Sequence, residues 1–437
     1  MEIVGLSEEK VKKISEIKNE DSWVLDYRLK GYKSFVEQKM PLFGPEINLN
    51  FEDVIYYKNN EADKKLENTW NTILKPVVDE LDSVGVLESE KHFGGMGVQY
   101  ESEVIYHNMI EELEKKNVIF TSIEDAIKRY PDLVKKYFGK IVSYAENKFA
   151  ALNAAVFSGG SFIYVPKNTI LDRPLQSYFR INSKNMGQFE RTLIIVDDNS
   201  SLHYVEGCTA PSYSESSLHA AIVEIYVGKN SKCRYSTVQN WATNVYNLVT
   251  KRALVDESGV MEWIDGNIGS KVTMKYPCCV LKGDNSKGTC ITISVAKSGQ
   301  EQDSGARMIH IGKNTKSNIV SKSIAGNGGN ATYRGKVEIK KNALNSDAMV
   351  KCDSLILDDK SMSDTIPTNI VGNVTSNIEH EATVSKISDD VLFYLMSRGI
   401  PEERATELIV LGFIDEFKSE LPMEYAVELN QLIKRNL

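Results

Sequence analysis

The hydrophobic rhythm of the chain changes twice. Up to about residue 148, apolar positions recur at three- and four-residue spacing between charged ones, as in "EEKVKKISEIKN", "NTWNTILKPVVDELDSVGV" and "SEVIYHNMIEELEKKN". That is the period of amphipathic helices. In "SIEDAIKRYPDLVKKYFG", Ser122 is placed to cap a helix ending near Gly139. From residue 149 to about 387 the texture becomes short β-branched runs broken by Asn, Gly, Ser and Asp, which predicts strands and tight turns. Helical spacing returns over 388–437, where Ser388 and two acids open "SDDVLFYLMSRG" and Pro401 opens "PEERATELIVLGFIDEFKSEL". The expected organisation is a helical region over 1–148, a β core over 149–387 and a helical region over 388–437.

Within the β core one turn signature recurs: "VPKNT", "VDDNS", "VGKNS", "VDESG", "KGDNS", "IGKNT" and "IKKNA". Its Asn or Ser falls at Asn168, Asn199, Asn230, Ser258, Asn285, Asn314 and Asn342, at intervals of 31, 31, 28, 27, 29 and 28 residues. A repeat of that length, made of strands with no room for a helix, predicts a β-solenoid whose coils stack about 4.8 Å apart. Such coils cannot bury their apolar faces alone, so several must stack, with the helical flanks expected to cap the ends.

Composition narrows the classes. The 437 residues are too many for one compact core, and no apolar run approaches the length needed to cross a bilayer. "MEIVGLSEEKVKK" is not a secretory leader, so a cytoplasmic location is expected. A net charge of -8 without a dense Lys/Arg block argues against a nucleic-acid partner. The six cysteines include no C-x-x-C pair, which argues against a zinc ribbon or a dithiol redox motif. No phosphate-binding G-x-x-x-x-G-K-[ST] loop and no G-x-S-x-G elbow are present, so ATP hydrolysis would have to come from a partner.

Two regions carry candidate chemistry. Cys208, in "HYVEGCTAPSYSESSLHAA", and Cys352, in "MVKCDSLIL", occupy similar phases of coils about five repeats apart. That is on the order of 25 Å along the axis, so they cannot share one ligand set. "SNIEHEATVS" is not a zinc-protease helix, because Val384 stands where the second histidine would be. Read as a strand, it places Glu379 and Glu381 on one face and His380 on the other. His380 lies one common repeat, 28 residues, after Cys352. Cys352 with His380 or a glutamate would suit an incomplete iron–sulfur or transition-metal site, whereas each thiol taken alone reads as a small buried hydrophobe.

The segments "NKFAALNAAVFSGGSFIYVPK", "HYVEGCTAP", "TVQNW", "VTKRA", "KCDS", "IEHEATVSKI" and "GFIDEFKSELPMEYAVE" resemble the SufB/SufD family, specifically its SufB branch. That branch is the scaffold of the Suf iron–sulfur cluster assembly system, and the likeness runs in order from about residue 90 to the C-terminus. The resemblance implies a right-handed parallel β-helix and a scaffold rather than an enzyme. It implies Cys208 as acceptor of persulfide sulfur, with Arg180, Asn182, Gln239, Trp241 and Lys251 along an inward path. It also implies Cys352 as holder of a transient cluster, with Glu379, His380 and Glu381 beside it and iron on Cys352, His380 and Glu381.

The implied partners are a SufC-type ABC ATPase on the C-terminal helices, SufD or a second copy of this chain, a cysteine desulfurase with a sulfur-transfer protein, and apo iron–sulfur recipients. Reduced flavin is a further implied cofactor of the complex. Three alternatives stay open: a SufD-like structural subunit, a β-helix polysaccharide lyase or hydrolase, and a purely structural solenoid adaptor.

Overall fold

In the computed structural model, residues 2–58, 78, 92–181, 183, 185–210, 216–421, 426, 429–430 and 432–433 are described. The candidate Asn182 and all of the expected helix "NTWNTILKPVVDELDSVGV" except Val78 lie outside them. The protein is mainly β, a parallel β-solenoid of about seven turns with helices at both termini. Each turn contributes one strand to each of two parallel sheets. The first sheet runs through Leu175–Arg180, Ser201–Thr209, Lys232–Trp241, Val260–Gly269, Lys287–Ala296, Lys316–Ala325, Asp347–Ile356 and Asn377–Lys386. The second ends with Glu301–His310, Asn330–Ile339 and Met362–Val371. Strict alternation of buried and partly exposed positions in Asn330–Ile339 shows why these stretches are strands: Ala331, Tyr333, Val337 and Ile339 line the interior.

The turn residues set the coil length. Asn168, Asn199, Asn230, Ser258, Asn285 and Asn314 all adopt positive φ between 51° and 60°, the conformation asparagine tolerates best among residues with a Cβ. They also stack: Asn199 Nδ2 donates to Asn168 Oδ1 at 3.0 Å, and Asn230 Nδ2 to Asn199 Oδ1 at 3.3 Å. The last marker differs from expectation. The left-handed residue is Asn345, with φ 55°, not Asn342. The corner there is longer because Ala343 turns inward and is fully buried, which delays the turn by three residues.

The N-terminal region holds more strand than its helical spacing predicts. Helix Glu8–Ile17 forms as read and Ser22–Glu37 adds a second, whereas Lys148–Val156 is a buried helix where β texture is expected from residue 149. In "SEVIYHNMIEELEKKN", however, Glu103–Met109 is a strand paired antiparallel with Gly95–Tyr100, and only Glu111–Lys115 is helical. Ser122 does cap Ile123–Arg129, accepting from Asp125 N at 3.1 Å, and a second helix restarts at Pro131. Antiparallel strands Glu103–Met109 and Ile119–Ser122 close this end of both sheets.

The C-terminal helices do not cap the other end. Val410, Ile414 and Phe417 pack sideways onto the outer face of the first sheet, against Val238, Ile264, Ile293 and Ile324. Arg234 ties them down through Glu420 at 2.8 Å. The final strands Asn377–Lys386 and Met362–Val371 therefore each pair on one side only among the described residues. Pro367 sits in the latter, where an unpaired edge tolerates a missing N–H.

Candidate functional site

Strand alternation turns Tyr204, Glu206 and Cys208 into the solenoid, and the parallel register carries each position to the next coil. Glu206 pairs with Thr237, Thr237 with Asp265, Asp265 with Thr292, Thr292 with Ser321, and Ser321 with Cys352. One step along, Cys208 pairs with Gln239, then Asn267, Ser294, Ser323 and Ser354. All these residues are buried. Two files of polar side chains thus run side by side through the interior. Cys208 and Cys352 stand at opposite ends of them, five ladder steps or about 24 Å apart.

The Cys208 end is strongly ionic. Its Sγ lies 3.7 Å from Glu206 Oε1 and 3.9 Å from Gln239 Nε2. Lys251 and Lys275 both bond Asp265 Oδ1, at 3.2 and 3.4 Å, and Lys275 also donates to Gln239 Oε1 at 3.0 Å. Asn247 Nδ2 reaches the same oxygen at 2.9 Å, and His219 links Asn247 to Glu190. Burial pushes the Cys208 thiol well above its usual range, with Glu206 and Glu190 adding to the effect and the two lysines opposing it. Burial also draws Lys275 down to about 8 against the attraction of Asp265. Although burial opposes it, the pair of ammonium groups holds the Asp265 carboxyl below the usual carboxylate range.

Of the other candidates, Trp241 packs its ring on His219 with centroids 4.6 Å apart and shares an apolar cluster with Cys208 and Phe179. Lys251 stands 4.4 Å from the centroid of Tyr235. Arg180 is in register with Thr209, one residue past the Phe179–Cys208 pair, so alternation aims it to the other face of the sheet. Glu190, Glu206, His219, Asn247, Asp265 and Lys275 were not singled out from sequence. For all but Glu190, which lies between strands, the signal was a polar or charged residue inside a strand at a position that repeats inward.

At the open end, Cys352 Sγ lies 3.9 Å from His380 Nε2, and Asn369 Nδ2 lies 3.4 Å from His380 Nδ1. His380 pairs with Val350 and shares its inward face, while Glu379 and Glu381 pair with Met349 and Lys351 on the opposite face. Glu379 lines an outer groove of about 390 Å³ with Lys287, Lys316 and Asp347. The structure therefore brings Cys352 and His380 together and separates both glutamates from them. Burial raises the Cys352 thiol to about 12, with Asp353 contributing, and lowers the His380 imidazole. Among the described residues no three His, Cys, Asp or Glu side chains converge on one point, so Cys352 and His380 stand as a pair next to the open edge.

Comparison with known proteins agrees with this geometry. Residues 179–413 match the family model "SUF system FeS cluster assembly, SufBD core domain", and residues 98–177 match "SufBD protein N-terminal region". A Staphylococcus aureus (strain USA300) protein described as an iron–sulfur cluster assembly SufBD family protein is 57% identical over 432 residues, covering 98% of this chain and 92% of that one. The Bacillus subtilis (strain 168) iron–sulfur cluster assembly protein SufB is 54% identical over 432 residues, with the same coverage of 98% and 92%. With a solenoid core, a polar interior joining two buried thiols, and these matches over nearly its whole length, the chain belongs to the SufBD family of iron–sulfur cluster assembly proteins.

Proposed function

We propose that the chain is the sulfur-accepting scaffold of this system, taking sulfur at Cys208 and holding a nascent cluster at Cys352 and His380. The observation that carries the reading is the in-register file Glu206–Thr237–Asp265–Thr292–Ser321–Cys352, which runs through the interior from the carboxyl group beside Cys208 to Cys352. Thr237 Oγ1, Asp265 Oδ2 and both amide atoms of Asn267 have no hydrogen-bond partner among the described residues. Unsatisfied buried groups are costly in a merely structural core, and they suit a passage for a polar sulfur species. Cys208 becomes a nucleophile by losing its proton, for which Glu206, 3.7 Å away, is the adjacent acceptor. Glu206 is itself suited to that task, because burial raises its carboxyl.

A thiolate with one imidazole holds iron through few ligands, which fits a cluster meant to be passed on. The name of the Bacillus subtilis relative supports the SufB reading over that of a SufD-like structural subunit. The open strands Asn377–Lys386 and Met362–Val371 carry exposed Ile366, Ile370, Val371 and Val384 and would accept a matching solenoid end, either SufD or a second copy of this chain, which would complete the ligand set. Helix Asp389–Ser397 buries none of its residues and exposes Phe393 and Tyr394, a surface suited to a SufC-type ATPase. A cysteine desulfurase with its transfer protein would supply the sulfur, and apo iron–sulfur proteins would receive the product.

The test is anaerobic purification with the ATPase, followed by iron, sulfide and spectroscopic analysis of wild type against Cys352→Ala. The variant should fold and hold no cluster; clusters of normal yield would refute the assignment.

A further inference from the structure

Glu190, His219, Asn247 and Gln239 form a buried hydrogen-bond chain that ends on the sulfur of Cys208. His219 Nε2 meets Glu190 Oε1, His219 Nδ1 lies 2.7 Å from Asn247 Oδ1, and Asn247 Nδ2 lies 2.9 Å from Gln239 Oε1. Gln239 Nε2 then faces Cys208 Sγ at 3.9 Å. Glu190 at the far end accepts only, as a carboxylate, but the amides of Asn247 and Gln239 can each present either end, so what meets the sulfur depends on what holds Gln239.

Lys275 supplies the asymmetry. Its Nζ sits 3.0 Å from the Gln239 side chain and 3.4 Å from Asp265 Oδ1, fully buried. With a pKa near 8 it is charged at neutral pH, and an ammonium donates but accepts nothing. Gln239 must therefore turn its oxygen to Lys275, which leaves its NH2 for the sulfur. Asn247 then donates to that oxygen, and its own oxygen is left facing His219 Nδ1. We infer that Lys275 is a positioning residue that fixes the orientation of Gln239 and keeps an amide N–H, not a carbonyl lone pair, on Cys208.

The inference rests on the reading of Cys208 as sulfur acceptor. In that step the Cys208 thiolate attacks the outer sulfur of a donor R–S–SH. The donor S–S bond breaks, a new S–S bond forms on Cys208, and R–S⁻ leaves with the electron pair. An N–H on the sulfur stabilises the attacking thiolate, as hydrogen bonding to a charged form lowers a pKa; a carbonyl in its place would oppose it.

The experiment loads the full chain with glutathione persulfide and follows Cys208 persulfide by mass spectrometry against pH. The variants are K275M, K275R, Q239L and K275M/Q239L, each checked for native thermal unfolding. K275M and Q239L should each slow loading about tenfold at neutral pH and move the rate profile to higher pH. The double variant should be no slower than either single one, because both remove the same contact, and K275R should restore most of the rate. Should K275M not fold, Asn247→Asp replaces it: a carboxylate opposite Gln239 Oε1 should also slow loading, and an unchanged rate overturns the inference. Wild-type loading that K275M leaves unchanged in rate and profile overturns the inference alone. Absence of persulfide on wild-type Cys208 overturns the acceptor reading and the inference with it.

Discussion

Cys208 and Cys352 sit in adjacent inward files of the same sheet, both buried, yet their surroundings are opposites. Cys208 has coils on either side and is ringed by Glu206, Gln239 and the Lys251–Asp265–Lys275 group. Cys352 has a single further strand beyond it, one imidazole at 3.9 Å, and then an open edge. One solenoid therefore makes two kinds of thiol by position alone. A thiol among fixed charges inside the stack can be tuned by them but hardly exposed, whereas a thiol one strand from the edge is shifted mainly by burial and lies within reach of whatever adds the next strand.

The sharpest contrast is energetic. Asp265→Leu removes the ion-pair partner that buried Lys251 and Lys275 share, and chemical denaturation should show a loss of about 3–5 kcal/mol. Glu381→Gln, a change on the exposed outer face at the rim, should fall within about 0.5 kcal/mol. Comparable losses at both ends would erase the distinction. Next in size, His380→Ala should weaken iron retention at Cys352 by at least about tenfold while leaving persulfide loading of Cys208 unchanged. Parallel loss of both functions would mean that the two ends are not separable.

A smaller effect concerns pH. Neutral imidazole binds iron and its protonated form does not. Burial lowers the His380 pKa from the ordinary value of 6.5, so on the proposed assignment the protonation that would release iron is displaced to more acidic solution. Iron bound to the full chain, titrated downward in pH, should be retained at 6.5 and lost only below it; a release midpoint above 6.5 contradicts the geometry. Smallest of all for the chemistry, Val384→Lys places a charge on the open edge and should reduce association seen by analytical ultracentrifugation. It should not change loading of Cys208.

The solenoid was legible because its signal is local and repeated: an Asn that tolerates positive φ must recur once per coil, and Asn168 through Asn314 do so. The last marker misled because Ala343, small enough to tuck inward, lengthens that corner and hands the turn to Asn345. Residues 103–109 carry apolar spacing compatible with helix, but pairing with Gly95–Tyr100 decides for strand, and that partner is invisible to local periodicity. At the site, strand alternation alone separated His380 from Glu379 and Glu381. The ionic group was not legible, since Gln239, Asp265 and Lys275 meet only after coils of unequal length have set their register.

The central claim is that sulfur reaches Cys352 by way of Cys208, and a labelled-sulfur transfer tests it most directly. The full chain with its ATPase is given a labelled persulfide donor, and label is located by mass spectrometry in wild type, Cys208→Ser and Cys352→Ser. Label should accumulate on Cys208 in Cys352→Ser and be missing from Cys352 in Cys208→Ser. Labelling of Cys352 at the wild-type level in Cys208→Ser would contradict the account.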